Sequence, residues 1–203
     1  MQSKNRRCAL CKKKVASDDA IIGGLRAFCS YDHLRDFQVS ERGKQVITKE
    51  ITKERNQHYA KRKEKLKTKG EWMREAQTAF NSYIRWRDRY QSCISCGHHL
   101  SHDTYGGSTD AGHYIPRGST QGHMLRFHSW NCHAQCVKCN RFLGGNYSQY
   151  RTALIWKIGH EKVEWLEDHD HEVEFTVEYL KRIKEVFTRK LRIKKKLTKV
   201  FTP

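Results

Sequence analysis

Three segments, Cys93-Ile-Ser-Cys96, Asp110-Ala-Gly-His113-Tyr114 and Asn131-Cys-His-Ala-Gln-Cys136-Val-Lys-Cys139-Asn140, fall within residues 93–146. Two Cys-x-x-Cys pairs, Cys93 with Cys96 and Cys136 with Cys139, have the spacing that presents four thiolates to one zinc ion. Such a site is closed to water and structural, so any catalysis must come from other groups. Cys132 is left over, either as a thiol without a role or as a substitute for a neighbouring ligand. His113 lies near the end of a strand that Pro116-Arg117-Gly118 terminates. Period-two alternation places Asp110 and Gly112 on one strand face and Ala111 and His113 on the other, unless Gly112 permits a bulge. Asn140 follows the last cysteine, where a helix should begin. The zinc therefore staples a strand hairpin to a helix start, and His113, Asp110 and Asn140 can converge there. A neutral imidazole can take a proton from water near pH 7. The oxygens of Asp110 and Asn140 suit magnesium or manganese, which would stabilise charge on a phosphodiester under attack.

The composition around that stretch points to a polyanionic partner. The chain has 203 residues, a net charge of +18 and a pI near 9.7, and its Lys and Arg residues are clustered. Charge of that size and distribution attracts nucleic acid. Hydrophobic residues make up 37% and charged residues 31%, with a mean hydropathy of −0.88, so a modest core with long solvated elements is expected. There is no run long and apolar enough to span a bilayer, and the first residues lack the apolar segment of a secretory signal. An intracellular, reducing location follows as the expectation, in which eight cysteines signify metal binding and not disulfides.

Residues 1–35 carry Cys8-x-x-Cys11 and Cys29-x-x-x-His33, a second zinc set of three cysteines and one histidine. Gly23-Gly24 suits a hairpin turn between Ile21-Ile22 and residues 25–28, giving a small zinc ribbon or knuckle. Residues 36–70 read as a solvated helix, either a phosphate-tracking arm or an inert charged linker. Basic residues outnumber acidic ones by eleven to four between Glu41 and Lys69. Trp72, Ala76, Ala79, Phe80, Tyr83 and Ile84 form the apolar face of a helix over 71–90. Another helix runs over 147–158 and stops at Gly159, and a short amphipathic turn passes through Val163 and Leu166. His169-Asp-His171-Glu172 looks ligand-like but reads better as a solvated loop. Thr176 caps a last helix over 176–200, with ten basic residues and one acidic residue between Lys181 and Lys199. It reads as a second DNA-facing arm or a merely solvated helix end.

The text of the chain resembles the phage NinG recombination proteins, also called Rap, a branch of the HNH (ββα-metal) endonuclease superfamily. The resemblance is carried by Ala76-Gln-Thr-Ala-Phe-Asn81, Tyr83-Ile84-Arg85, Cys93-Ile-Ser-Cys-Gly97, Asp110-Ala-Gly-His-Tyr114, Leu125-Arg-Phe127 and Asn131-x-His133-x-Gln-Cys136-Val-x-Cys-Asn140. Gly145-Asn146, Tyr150-Arg151 and Ile158-Gly159 extend it. It implies an α+β, mainly α protein: a zinc-stapled HNH-like core, an N-terminal zinc ribbon or knuckle and long basic helices. The expected divisions are 1–35, a zinc module; 36–70, a basic arm; 71–175, the nuclease domain; and 176–203, a basic C-terminal helix. The implied activity is metal-dependent cleavage of branched DNA, such as Holliday junctions and D-loops, in phage recombination within the host cytoplasm.

In the same terms His113 matches the general base, Asn131 the residue that orients it through the hairpin, and Asn140 a ligand of the catalytic ion. Many HNH sites carry Asp or His immediately before the base, where this chain has Gly112, so Asp110 stands in as the second ligand. His133 is a further candidate for metal or scissile phosphate. Relatives commonly have cysteine where this chain has His33. Candidate DNA contacts are Lys61, Arg62, Lys63, Lys65, Arg85, Arg87, Arg117, Arg126, Lys194, Lys195 and Lys196. A homodimer fits two opposed cuts in a symmetric junction. A non-catalytic zinc protein that binds branched or single-stranded nucleic acid is the alternative.

Overall fold

The computed structural model describes residues 5–100, 109–168 and 173–201. The chain divides into two compact units, Met1–Lys67 and Thr68–Pro203. The His169–Glu172 segment lies outside the described residues.

In the first unit β1 (Arg6–Arg7) pairs antiparallel with β2 (Lys14–Val15), and β3 (Ile21–Gly23) with β4 (Arg26–Phe28). Helices α1 (Tyr31–Val39) and α2 (Glu41–Lys65) follow. Ser40 both closes α1 and opens α2: its N–H donates to Asp36 O, and its hydroxyl accepts from Gly43 N at 3.0 Å. The apolar cluster here consists of Cys8, Phe28 and Phe37, with Leu34 and Val46 packed against it. Beyond that cluster α2 is exposed along most of its length, as a helix without an apolar stripe must be. A core this small needs help from a metal.

The second unit is built on α3 (Lys69–Arg87), which begins at a reciprocal cap. Glu71 N donates to Thr68 Oγ1, and Thr68 N donates to Glu71 Oε2 at 2.8 Å. Trp72, Ala76, Phe80 and Ile84, spaced by four, are all buried. Their partner is α7 (Val177–Phe201), through Leu180 and Phe187. Phe80 and Phe187 meet edge to face at 4.8 Å between centroids. Contacts advance in step along both helices, from Lys184–Glu75 to Arg89–Thr198, so they run parallel. The expected boundary between 71–175 and 176–203 thus falls inside one core. The partial apolar face of the last helix is there to close that core, while Lys194, Lys195 and Lys196 stay exposed.

Strands β5 (Thr109–His113) and β6 (Cys132–Cys136) form an antiparallel hairpin in which Asp110 faces Gln135, Gly112 faces His133 and His113 faces Cys132. The register is continuous, so Gly112 makes no bulge. The connection carries α4 (Thr120–Met124) and a 3-10 turn, Leu125–Phe127. After β6 come a π-helical turn, Lys138–Phe142, then α5 (Tyr147–Ile158) and α6 (His160–Glu167). Gly159 separates these two helices at φ 92°, a conformation that a side chain would strain. Tyr114, Ile115, Leu125, Tyr150, Leu154, Val163 and Leu166 make a second core beneath them. The architecture is α+β and mainly helical. Among the described residues no helix is long and apolar enough to cross a membrane.

Candidate functional site

Cys93, Cys96, Cys136 and Cys139 form one cluster, with ligand atoms within 4.8 Å of one another, and Cys8, Cys11, Cys29 and His33 form another. Two thiolates on a tetrahedral zinc lie about 3.8 Å apart. Here Cys96 and Cys136 are 3.8 Å apart and Cys11 and Cys29 are 3.6 Å apart. His33 Nδ1 lies 3.7 Å from Cys8 Sγ and 2.9 Å from Cys29 Sγ, so the histidine takes the fourth corner. Both clusters suit zinc. Cys132 belongs to neither: it is fully buried under α3, and burial pushes its thiol pKa up. Cys132 stands at the far end of β6 from Cys136, in the core under α3 and away from the cysteine cluster.

The first cysteine pair is tied into the hairpin by backbone bonds, Ile94 N to Ala134 O at 3.1 Å and Cys136 N to Cys93 Sγ at 3.3 Å. Asp88 adds a clamp at the end of α3. Its carboxylate accepts from Ala134 N at 3.0 Å and from Arg87 Nε and Nη2, each at 2.6 Å. Arg87 also donates to the carbonyls of Ser129 at 2.9 Å and Cys132 at 2.8 Å. Its guanidinium is engaged in holding the hairpin. Asn131 is fully buried. Its Oδ1 accepts from Ile115 N at 2.7 Å and its Nδ2 donates to Ile115 O at 3.1 Å, pinning the chain two residues after His113.

Asp110 and Asn140 meet. Asn140 Nδ2 donates to Asp110 Oδ2 at 2.9 Å, and Arg141 Nε and Nη2 donate to the same carboxylate at 2.7 and 2.8 Å. Arg141 first, then Asn140, holds the Asp110 carboxyl below the usual range against the opposing effect of burial. Gly112 shares that strand face, and a Cβ there would sit 2.1 Å from Gln135 Oε1. The Gln135 side chain fills the place that an Asp or His before His113 would need, which leaves Asp110 as the carboxylate on this face. Asp and Asn oxygens are hard donors of the kind magnesium or manganese prefers, but here Asn140 turns its N–H and not its oxygen toward Asp110, and Arg141 covers both carboxylate oxygens. Among the described residues the two cysteine clusters are the only groups of three or more His, Cys, Asp or Glu close enough to hold an ion.

His113 does not join that pair. Its ring is on the opposite face, half-buried, 6.0 Å from the Phe80 ring by centroid. Nε2 donates to Arg126 O at 2.9 Å, so Nδ1 carries the lone pair, 3.7 Å from Cys132 Sγ. Burial, with the charges of Arg117 and Arg126 adding to it, lowers the His113 pKa to about 4. The expected convergence of three residues is therefore a pair plus a neighbour across the strand, because alternation without a bulge separates them. His133 is 2% exposed and packs against Tyr150, whose hydroxyl lies 3.3 Å from Nδ1 and donates to Gly112 O. Burial lowers its pKa to about 3. His133 is thus sealed from solvent.

Arg117 and Arg126 place positive charge near His113. Arg126 Nη1 donates to Gln77 Oε1 at 3.2 Å, and Gln77 Nε2 donates to Asn81 Oδ1 at 2.8 Å. Arg126 Nε has no hydrogen-bond partner among the described residues. Arg117 is exposed, Arg85 half-buried. Gln77, Asn81 and Arg85 follow the i, i+4, i+8 rule along α3, a polar stripe beside the apolar one that was readable but unread. Asp88, Gln135 and Arg141 carried no such signal, since their roles exist only through tertiary contacts. In the first unit Lys61, Arg62, Lys63 and Lys65 all lie exposed on α2.

The family model described as bacteriophage lambda NinG protein matches residues 1–198. The chain is 41% identical to protein ninG of Escherichia phage lambda over 131 residues, covering 64% of this chain and 61% of that protein. It is 41% identical to protein ninG of Escherichia phage 933W, covering 64% and 62%, and 40% identical to that of Salmonella phage P22, covering 64% and 61%. The matched part thus spans just over three fifths of these relatives. No solved structure matches. On the family model's span the chain belongs to the bacteriophage lambda NinG protein family.

Proposed function

We propose that the chain is a metal-dependent endonuclease of the HNH type that cleaves branched DNA, such as Holliday junctions and D-loops, during phage recombination in the host cytoplasm. The observation that carries this reading is the meeting of Asp110 and Asn140 at 2.9 Å on a hairpin stapled by a cysteine cluster and pinned by Asn131. Asp110 and Asn140 would hold magnesium or manganese, whose charge would stabilise the attacked phosphate and the leaving oxygen. His113, kept neutral by its surroundings, is the base this reading requires, and its ring would have to leave the Arg126 carbonyl and the opposite strand face to take a proton from water on an ion held by Asp110 and Asn140. Arg117 and Arg126 bring positive charge beside it for the phosphate. The exposed lysines of α2 and α7 supply sequence-independent attraction to the backbone. A homodimer would allow paired cuts in a symmetric junction.

A second reading is a non-catalytic zinc protein that binds branched or single-stranded nucleic acid. The packing of His113 favours it, since both ring nitrogens face protein atoms. Incubating the zinc-loaded protein with four-way, D-loop and linear duplex DNA plus magnesium or manganese separates the two. Cleavage of the branched substrates, lost in His113→Ala and Asn140→Ala with binding retained, is expected. Tight binding with no cleavage of any branched DNA would leave the second reading standing.

A further inference from the structure

We propose that the groove between the first cysteine pair and α5 receives unpaired bases of DNA, with Trp156 and Tyr90 as its stacking surfaces. The groove has a volume of about 1030 Å³, and its lining includes Tyr90, Ser95, Gly97, Gln149, Trp156 and Lys157. Trp156 is 87% exposed and Tyr90 81% exposed. One exposed aromatic is ordinary on a protein surface. Two beside the same groove, with cations alongside, are a different matter.

The cations are placed by the fold. The Arg89 guanidinium lies 4.3 Å from the Tyr90 ring centroid and 4.4 Å from that of Trp86. Arg89 is held there by bonds to Trp86 O at 2.9 Å and Thr198 Oγ1 at 3.1 Å. Lys195 Nζ lies 5.1 Å from the Trp86 ring. Cation and ring alternate from the basic end of α7 through Lys195, Trp86, Arg89 and Tyr90 to the groove. A flat ring with a free face takes a base, and flanking cations take its phosphates, which is how proteins hold single strands without reading sequence. In a duplex each base face is covered by its neighbours, so the groove selects unpaired nucleotides. At a branch point these would be the residues freed where strands part. The proposal rests on the nucleic-acid reading above, and not on cleavage.

The test is fluorescence anisotropy with a labelled oligothymidine of about 12 nucleotides and a blunt duplex of the same length. The zinc-loaded protein is used without magnesium or manganese, so no cleavage enters. Trp156→Ala is expected to weaken oligothymidine binding about ten-fold and to leave duplex binding unchanged, while Trp156→Phe, which keeps a ring, restores most of the loss. Thermal melts of both variants should match the wild type, because the side chain is exposed. Equal weakening on both DNAs, no weakening, or failure of the phenylalanine to restore binding would overturn the groove. Intact junction cleavage by the wild type would still stand in that case. Failure of the wild type to bind either DNA would overturn both proposals.

Discussion

At the residue scale, two imidazoles beside the hairpin are held uncharged by burial. The folded pKa values of His113 and His133 lie near 4 and 3, below that of a free imidazole. The unfolded chain therefore takes up these protons first as the pH falls. Each histidine withdraws stability from about pH 6.5 downward until its folded pKa is reached, and has no such effect at higher pH. The ring resonances of His113 and His133, followed by NMR from about pH 8 to about pH 5, should stay unmoved. A midpoint near 6.5 for His113 would show it in open solvent. Asn131 was picked out by the resemblance, and in the structure its side-chain amide bonds both the N–H and the carbonyl of Ile115. The lone-pair direction of His113 was not legible, because it depends on the Arg126 carbonyl and the Cys132 thiol, which the fold brings to the ring. Nor was the reason for Gly112, which lies in the side chain of Gln135 across the hairpin.

At the element scale, helices with an apolar stripe declared themselves. The face of α3 was read from its spacing, though its start was set two residues too late because the Thr68–Glu71 cap went unnoticed. The final helix was legible as a helix but not as half of a core. Its basic residues dominate the local text, and its partner is a helix more than a hundred positions away whose pairing nothing local announces. Leu180 is fully buried between the two. Leu180→Ala should therefore cost about 2–5 kcal/mol of stability, measured by urea unfolding of the zinc-loaded chain. A solvated arm would lose less than about 0.5 kcal/mol.

At the scale of the whole molecule, two units each contain a cysteine cluster, and the first has few buried apolar residues beyond it. Native mass spectrometry should find two zinc ions per chain. Cys8→Ser should remove one of them and open residues 1–67 to proteolysis while the rest resists, since metal binding supplies folding energy where the core is small. The cysteine spacings made both clusters legible, including the place of His33. The division between units was less so, because charge runs mark solvated faces and say nothing about which helices pack. The central claim, that Asp110 and Asn140 hold the ion of a nuclease, is tested most directly by anomalous diffraction from crystals soaked in manganese. A manganese peak between the Asp110 carboxylate and the Asn140 amide, with Arg141 displaced from the carboxylate, is the expected result. Manganese found nowhere on the hairpin face, with the Asp110–Arg141 pair intact, would contradict it.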